Sequence, residues 1–466
     1  MPSNTTVPTE FGLSGATGRS DHLALLKDQY FPFLNKWVHV GVVTAKYVAK
    51  RRGTMGGHRS VGAVINRLPG SAGVGRFEGH KMPTPRSSAA VNPVIFARNF
   101  YARYRWTGDV ERAARAGNAV AWAKSRAVDL ECGREMFERV FSRKLHSGPY
   151  DLLSVIKSYD GGTDVATLYG LNDHAATAHN YFKCGTLYTD NQISVQFVSG
   201  TAGGAASELR AAPTYVHTGG SANEIFINGA PDDTTDPDNP TITMNLAPFT
   251  DPDAEDLIIA YAERKESSLS SEPTLTSEMA SCNGLLNMLT DGTYYTHSLA
   301  LAKSTTAGLS GLYLRNAGTT RPFSEKLMEV LIRRCRNNSG SYPRVILAHD
   351  CSISEAAWEN RGDRRFPEII KDSGWGPRLV FHAGPVQVPY EADWKAMPGV
   401  FWGLNPEYFG WYEESAMAPV DKVDERWVAD YDAHEMLVHK SGNTECTRPF
   451  HGGALDDITY DFYDAT

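Results

Sequence analysis

Gly73-Val74-Gly75-Arg76-Phe77-Glu78-Gly79-His80-Lys81-Met82-Pro83-Thr84-Pro85 lies within an unusual stretch of this chain, residues 51–94. Glycine stands at positions 53, 56, 57, 62, 70, 73, 75 and 79, and proline at 69, 83, 85 and 93. A β-branched run, Val61–Ile65, enters it. The segment Asn92–Trp106 leaves it, with Val94, Phe96, Phe100, Ala102, Tyr104 and Trp106 on even positions and Arg98 as the exception. Such alternation on either side of turn residues predicts two strands joined by a long excursion. A two-stranded excursion so rich in glycine is barely stable alone in water. Either it is disordered, or something outside its own domain holds it.

Charge sharpens this reading. From Lys36 to Arg105 there are thirteen lysines and arginines and one acid, Glu78. From Gly229 to Asp256 there are eight acids and no base. The net charge of −8 argues against general affinity for nucleic acid, whereas this uneven distribution suits attraction between like copies or to a polyanion.

Around the excursion the chain reads as several elements. Residues 1–36 form a polar arm with a short amphipathic piece, His22–Tyr30, and Trp37–Lys50 mixes the helical and strand periods. From Asp109 to about His146 the apolar positions step by three or four, with Glu111–Arg115 and Glu135–Arg139 paired at spacing four. That predicts a long helix with bends at Gly117 and Gly133, ended by Gly148-Pro149. Residues 181–265 alternate short strands (Ile193–Val198, Tyr215–His217, Glu224–Ile227, Thr241–Met244, Leu257–Ala262) with Gly, Pro and Asp turns, predicting a small inserted barrel or sandwich. An α/β region follows: helix Ser324–Arg336, strand Arg344–His349, helix Ser352–Asn360, and strands near Arg378–Phe381 and Val386–Val388. The end, Val400–Ile458, carries Tyr408, Trp411, Tyr412, Trp427 and Tyr431 in a pattern that suggests antiparallel pairing.

Motifs for chemistry are missing where an enzyme would need them. The stretch Gly70–Gly79 lacks the lysine–hydroxyl end of a phosphate loop, and Glu78 stands where a dinucleotide fingerprint needs its third glycine. No nucleophile elbow, zincin pair or C-x-x-C occurs, and the six cysteines are at least 16 positions apart, as for free buried thiols. Asp251-Pro252-Asp253-Ala254-Glu255 begins like a calcium loop but has Asp256 where glycine should turn the chain. His349-Asp350 near Cys351 reads as a strand-end cap, because neighbours on a strand point to opposite faces. His58 and His80 read as surface contacts of the excursion. Neither a catalytic residue, a cofactor nor a metal is expected. No run approaches the roughly 20 apolar residues of a membrane span, and no secretory signal is visible, so a soluble protein made in a cytoplasm is expected.

The Gly-Val-Gly-basic-x-Glu-Gly segment at 73–79 and the proline-bounded stretch after it resemble the loop of tailed-bacteriophage major capsid proteins. So does the order that follows: a strand ending in Thr107-Gly108, a long helix, a β insertion, Gly284-Leu285, a helix and strand, and an aromatic C-terminal part. The resemblance implies the α+β fold shared by tailed-phage and herpesvirus capsid proteins. Mapped onto this chain, it implies an N-terminal arm (1–36), an extended loop with flanking strands (37–107) and a peripheral domain with spine helix (108–180). An inserted β subdomain (181–265), a peripheral return and connector (266–319), an axial domain (320–398) and C-terminal strands of the peripheral domain (399–466) complete it. The function implied is self-assembly as hexamers and pentamers into an icosahedral capsid around a double-stranded DNA genome, with the protein in the virion and made in the host bacterial cytoplasm. Implied partners are further copies, portal, scaffold and decoration proteins, and packaged DNA bound without sequence specificity, with no membrane. Arg76, Glu78 and Lys81 are the implied intersubunit contacts. Some family members cross-link lysine to asparagine, but no matching pattern accompanies Lys81. An encapsulin-like compartment shell is the alternative within that fold. A carbohydrate-active enzyme using the aromatic C-terminal half and a DNA-binding module using Lys36–Arg105 are the alternatives outside it.

Overall fold

The computed structural model describes residues 43–52, 59–61, 64–67, 87, 89–91, 94–107, 140–146, 152–168, 194–199, 214–215, 225–232, 241–245, 257–260, 282–289, 293–295, 300–302, 311–316, 321–359, 380–383, 386–393, 395–419, 426–427 and 433–459. It is a mixture of helix and sheet divided into two compact units. The smaller is built from 1–41, 98–141 and 414–442, and the larger from 42–97, 142–413 and 443–466.

The larger unit contains a six-stranded mixed sheet in the order Leu312–Leu314, Gly453–Leu455, Phe401–Leu404, Val345–Ala348, Val386–Ala392 and Val380–Ala383. Its central strands are apolar without a break because both faces are covered. Along Val345–Ala348 the side chains alternate between two cores. Val345 and Leu347 join Trp402, Leu404 and Ala454, whereas Ile346 and Ala348 join Phe401, Leu455 and the helix Glu325–Ser339. That helix presents Met328, Leu331, Ile332 and Cys335 inward, the spacing of three and four that makes one helical stripe. It runs past the expected end at Arg336 because termination waits for Gly340, whose φ of 76° places it in the left-handed region and whose N–H bonds Arg336 O at 2.7 Å. The second helix begins at Asp350, two residues before the expected Ser352, and ends at Glu359.

A second sheet in this unit closes on itself. Six of its seven strands form the ring, in cyclic order Leu152–Asp160, Val165–Leu168, Thr241–Asn245, Ile225–Asp232, Ser194–Ser199 and Leu257–Ala260, every neighbouring pair antiparallel, and Thr214–Tyr215 pairs with the end of Ser194–Ser199. Leu153, Ile156, Ala166, Leu168, Ile242 and Ile258 are fully buried. The ring starts before the expected boundary at 181, since Leu152–Asp160 and Val165–Leu168 supply two of its six strands. The hairpin joining them turns on Asp160, whose carboxylate accepts the Gly162 N–H at 3.0 Å and the Thr163 hydroxyl at 2.7 Å. Asp164 takes the left-handed conformation at φ 56° and accepts the Tyr159 hydroxyl at 2.9 Å.

The mixed periods of Trp37–Lys50 have a simple origin: a helix, Val43–Tyr47, runs directly into a strand, Ala49–Arg52. That strand pairs in parallel with residues 410–413, so one partner of the aromatic C-terminal segment departs from the antiparallel expectation. Within the smaller unit, Arg98–Thr107 pairs antiparallel with residues 433–442 over ten positions, and Arg426–Trp427 pairs with Glu435 and His434. Of the expected long helix 109–146, residues 140–146 are helical and the rest lie outside the described residues.

Candidate intersubunit site

Two short ladders form the stem of the glycine-rich excursion. Arg59, Ser60 and Val61 pair with Phe96, Ile95 and Val94. Further out, Val64, Ile65 and Arg67 pair with Val91, Ala90 and Ala89, with a register irregularity between Ile65 and Arg67. The nesting of these pairs makes residues 68–88 the connection of one long hairpin, as the alternation on either side predicted. Arg76, Glu78 and Lys81 belong to that connection and lie outside the described residues, as do His58 and His80. Six cross-strand pairs, one of them displaced by a register irregularity, are a slender anchor for so long a connection.

Elsewhere the polar groups of the larger unit are turned to structural use. His349 receives the Cys351 N–H on Nδ1 at 3.2 Å, and its carbonyl accepts the Ile353 N–H at 3.1 Å. His349 thus caps the helix Asp350–Glu359, and the ring nitrogen facing Cys351 is occupied by backbone rather than by thiol. Cys282, Cys335, Cys351 and Cys446 are all buried, and burial pushes the Cys335 thiol up to about 12, far from a reactive thiolate. Cys132 and Cys184 lie outside the described residues, as does the Asp251–Glu255 acidic turn.

One buried cluster was not legible in the sequence. Thr44, His146 and Asp393, separated by 102 to 349 positions, meet with their side chains excluded from solvent. Asp393 Oδ2 accepts the Thr44 hydroxyl at 2.5 Å and the Thr44 N–H at 3.0 Å, and lies 3.2 Å from His146 Nε2. Its Oδ1 accepts the Lys395 N–H at 3.0 Å. Burial raises the carboxyl pKa, but the bonds and charge of His146, with the bonds from Thr44 and Lys395, outweigh it and hold Asp393 at about 2. The grouping has the residue types of a hydrolytic triad but the wrong wiring. Thr44 Oγ1 lies 2.7 Å from His146 Nε2, so threonine and aspartate share one ring nitrogen. A triad requires the base to reach them through opposite nitrogens. The cluster ties three distant segments together without the wiring of a triad.

Two further nodes behave alike. Tyr313 donates its hydroxyl to Asp456 in a short bond, and burial with the Asp456 charge raises the phenol pKa well above its ordinary value. Asp457, at φ 61°, accepts the Asn316 N–H at 2.7 Å, and its backbone carbonyl accepts the Arg321 N–H at 2.8 Å. His451 shares a 2.6 Å bond with Ser341 through Nδ1 and lies 4.0 Å, ring to ring, from Tyr408. Among the described residues no group of three or more His, Cys, Asp or Glu could hold a metal ion. No helix among them is long and apolar enough to cross a membrane.

No protein-family profile and no curated protein matches this chain. Among solved structures, it is similar to the capsid asymmetric unit of cyanophage A-1(L), with TM-score 0.48 and 11% identity over 94% of this chain and 98% of the other. The capsid of a native GTA particle gives 0.44 and 9% over 94% and 96%. A structure from Mycobacterium phage Bobi gives 0.41 and 10% over 95% and 98%. With every score below 0.5, these stand as likenesses, and function has to be argued from the chain's own residues.

Proposed function

We propose that this chain is a shell subunit, a tailed-phage major capsid protein whose copies close as hexamers and pentamers into an icosahedral capsid around double-stranded DNA. The observation that carries the reading is the excursion: a basic, glycine-rich connection, residues 68–88, held on two ladders of three pairs each. Such a hairpin does not stabilise itself, and fixing each of its residues costs about 1–2 kcal/mol of backbone entropy. Laid across a neighbouring copy, it gains the contacts that its own fold lacks. Charges at its tip act only at close range, since screening at physiological salt sets in beyond about 8 Å. Arg76, Glu78 and Lys81 are the residues assigned to that contact. The order of motifs around 73–108 gives independent support from sequence.

Within this reading, residues 1–36 are the arm, 108–180 carries the spine helix, and 320–398 is the axial domain at the capsomer centre. The partners are further copies, portal, scaffold and decoration proteins, and DNA held without sequence specificity. The protein is made in the host cytoplasm and resides in the virion. Electron microscopy of the full chain, expressed alone and with candidate scaffolds, tests the reading. Closed shells of uniform size are expected; a chain that stays monomeric under every such condition would overturn it. Enzymes trapped inside those shells would point to the encapsulin alternative.

A further inference from the structure

The ladder between Arg98–Thr107 and residues 433–442 has one face closed and one face open. Phe100 is 8% exposed, meets the Phe141 ring edge-on at 5.7 Å, and pairs in register with Lys440, whose Nζ lies 4.2 Å from that same ring. Strand alternation puts Asn99, Tyr101, Arg103, Arg105 and Thr107 on the opposite face. There Tyr101 is 58% exposed, the only large hydrophobic so exposed among the described residues, and stacks on His439 at 5.8 Å. The next pairs along this face are Arg103 with Leu437 and Arg105 with Glu435.

We propose that this face seats the acidic segment 229–256 of a second copy; the inference rests on the shell-subunit reading and names one contact within it. Tyrosine and arginine are the residue types that dominate protein interfaces, and here they adjoin leucine and histidine on a rigid ladder. On the Tyr101 side of the strand stand Arg103 and Arg105 and no acid, whereas 229–256 carries eight acids and no base. Two copies of net charge −8 repel at long range, so their attraction must come from local complementarity of this kind. Part of the occupant has a defined base: Asp232 pairs with Thr241, so Asp233, Asp236 and Asp238 stand in the connection of a β hairpin.

The test uses the full chain with p-benzoylphenylalanine in place of Tyr101, doped into particles assembled from isotopically light and heavy copies and treated with nuclease. Cross-links between position 101 and residues 229–256 joining light to heavy copies are expected. Normal particles whose cross-links stay within one copy, reach nucleic acid, or reach another segment overturn the inference and leave the shell reading standing. Failure of the unsubstituted chain to form particles overturns both. In parallel, Tyr101→Ala and Arg103→Glu are expected to leave the monomer melting temperature unchanged while weakening assembly roughly tenfold. Asp236→Lys is expected to restore assembly to Arg103→Glu, and absence of any rescue by a base within 229–256 counts against the pairing.

Discussion

The six-stranded sheet and the glycine-rich excursion lie in the same unit and are built in opposite ways. In the sheet, Phe401 and Trp402 are adjacent, both fully buried, and each faces a different core. In the excursion, two ladders of three pairs carry a connection that reaches from 68 to 88. One region holds nearly all its contacts within the chain, so its folding is a property of the monomer. On the shell-subunit reading, the other depends on what it meets. Substitutions in the first should change stability and those in the second should change association.

The largest effect on stability is expected from Trp402→Ala, about 3–5 kcal/mol in chemical denaturation, because the cavity opens between strands that cannot collapse. Trp402→Phe sharpens the point. The indole N–H has no hydrogen-bond partner among the described residues, so phenylalanine should cost under about 1.5 kcal/mol. Next comes Asp393→Asn. The carboxyl titrates at about 2 when folded, below its unfolded value near 4, so its contribution is present above pH 4 and lost as pH falls toward 2. That contribution is roughly 2–3 kcal/mol, and stability measured from pH 6 to 2 should fall less steeply in the variant. Equal slopes in both proteins would remove His146 and Thr44 as the cause.

Gly311→Ala follows, at about 1–3 kcal/mol: an added Cβ would meet Leu289 O at 2.5 Å and Leu289 Cα at 2.8 Å, both backbone atoms. The smallest effect on the monomer, within about 0.5 kcal/mol, is expected from Arg76→Glu or Glu78→Lys. The same two variants should impair shell formation in sedimentation. Normal shells from both would break the contrast between the two regions.

The elements legible in the sequence were those whose signal is local. The stripe Met328, Leu331, Ile332, Cys335 gave the helix, and apolar runs bounded by turn residues gave Val345–Ala348 and Thr241–Asn245. The start of the closed sheet was missed because residues 153–156 are all buried, so Leu152–Asp160 lacks the alternation that marks a strand with one wet face. The Asp160-Gly161-Gly162 turn was the available clue. The Thr44–His146–Asp393 cluster had no clue at all. Its members are assembled by tertiary contact across up to 349 positions, and spacing along the chain carries no trace of that. The candidate contact residues were chosen from glycine content and charge, signals of what a segment cannot do alone.

The closed ring of strands has a further consequence. Each of its six members has a neighbour on both sides, so the ring presents no long row of unpaired backbone groups to another chain. Wherever many copies of the chain are present together, that removes a route to mispairing and aggregation. It also confines what the module can offer a partner to side chains and connecting turns. Those can be lengthened, recharged or exchanged without disturbing the ring, which leaves the insertion free to diversify while the sheet behind it stays fixed.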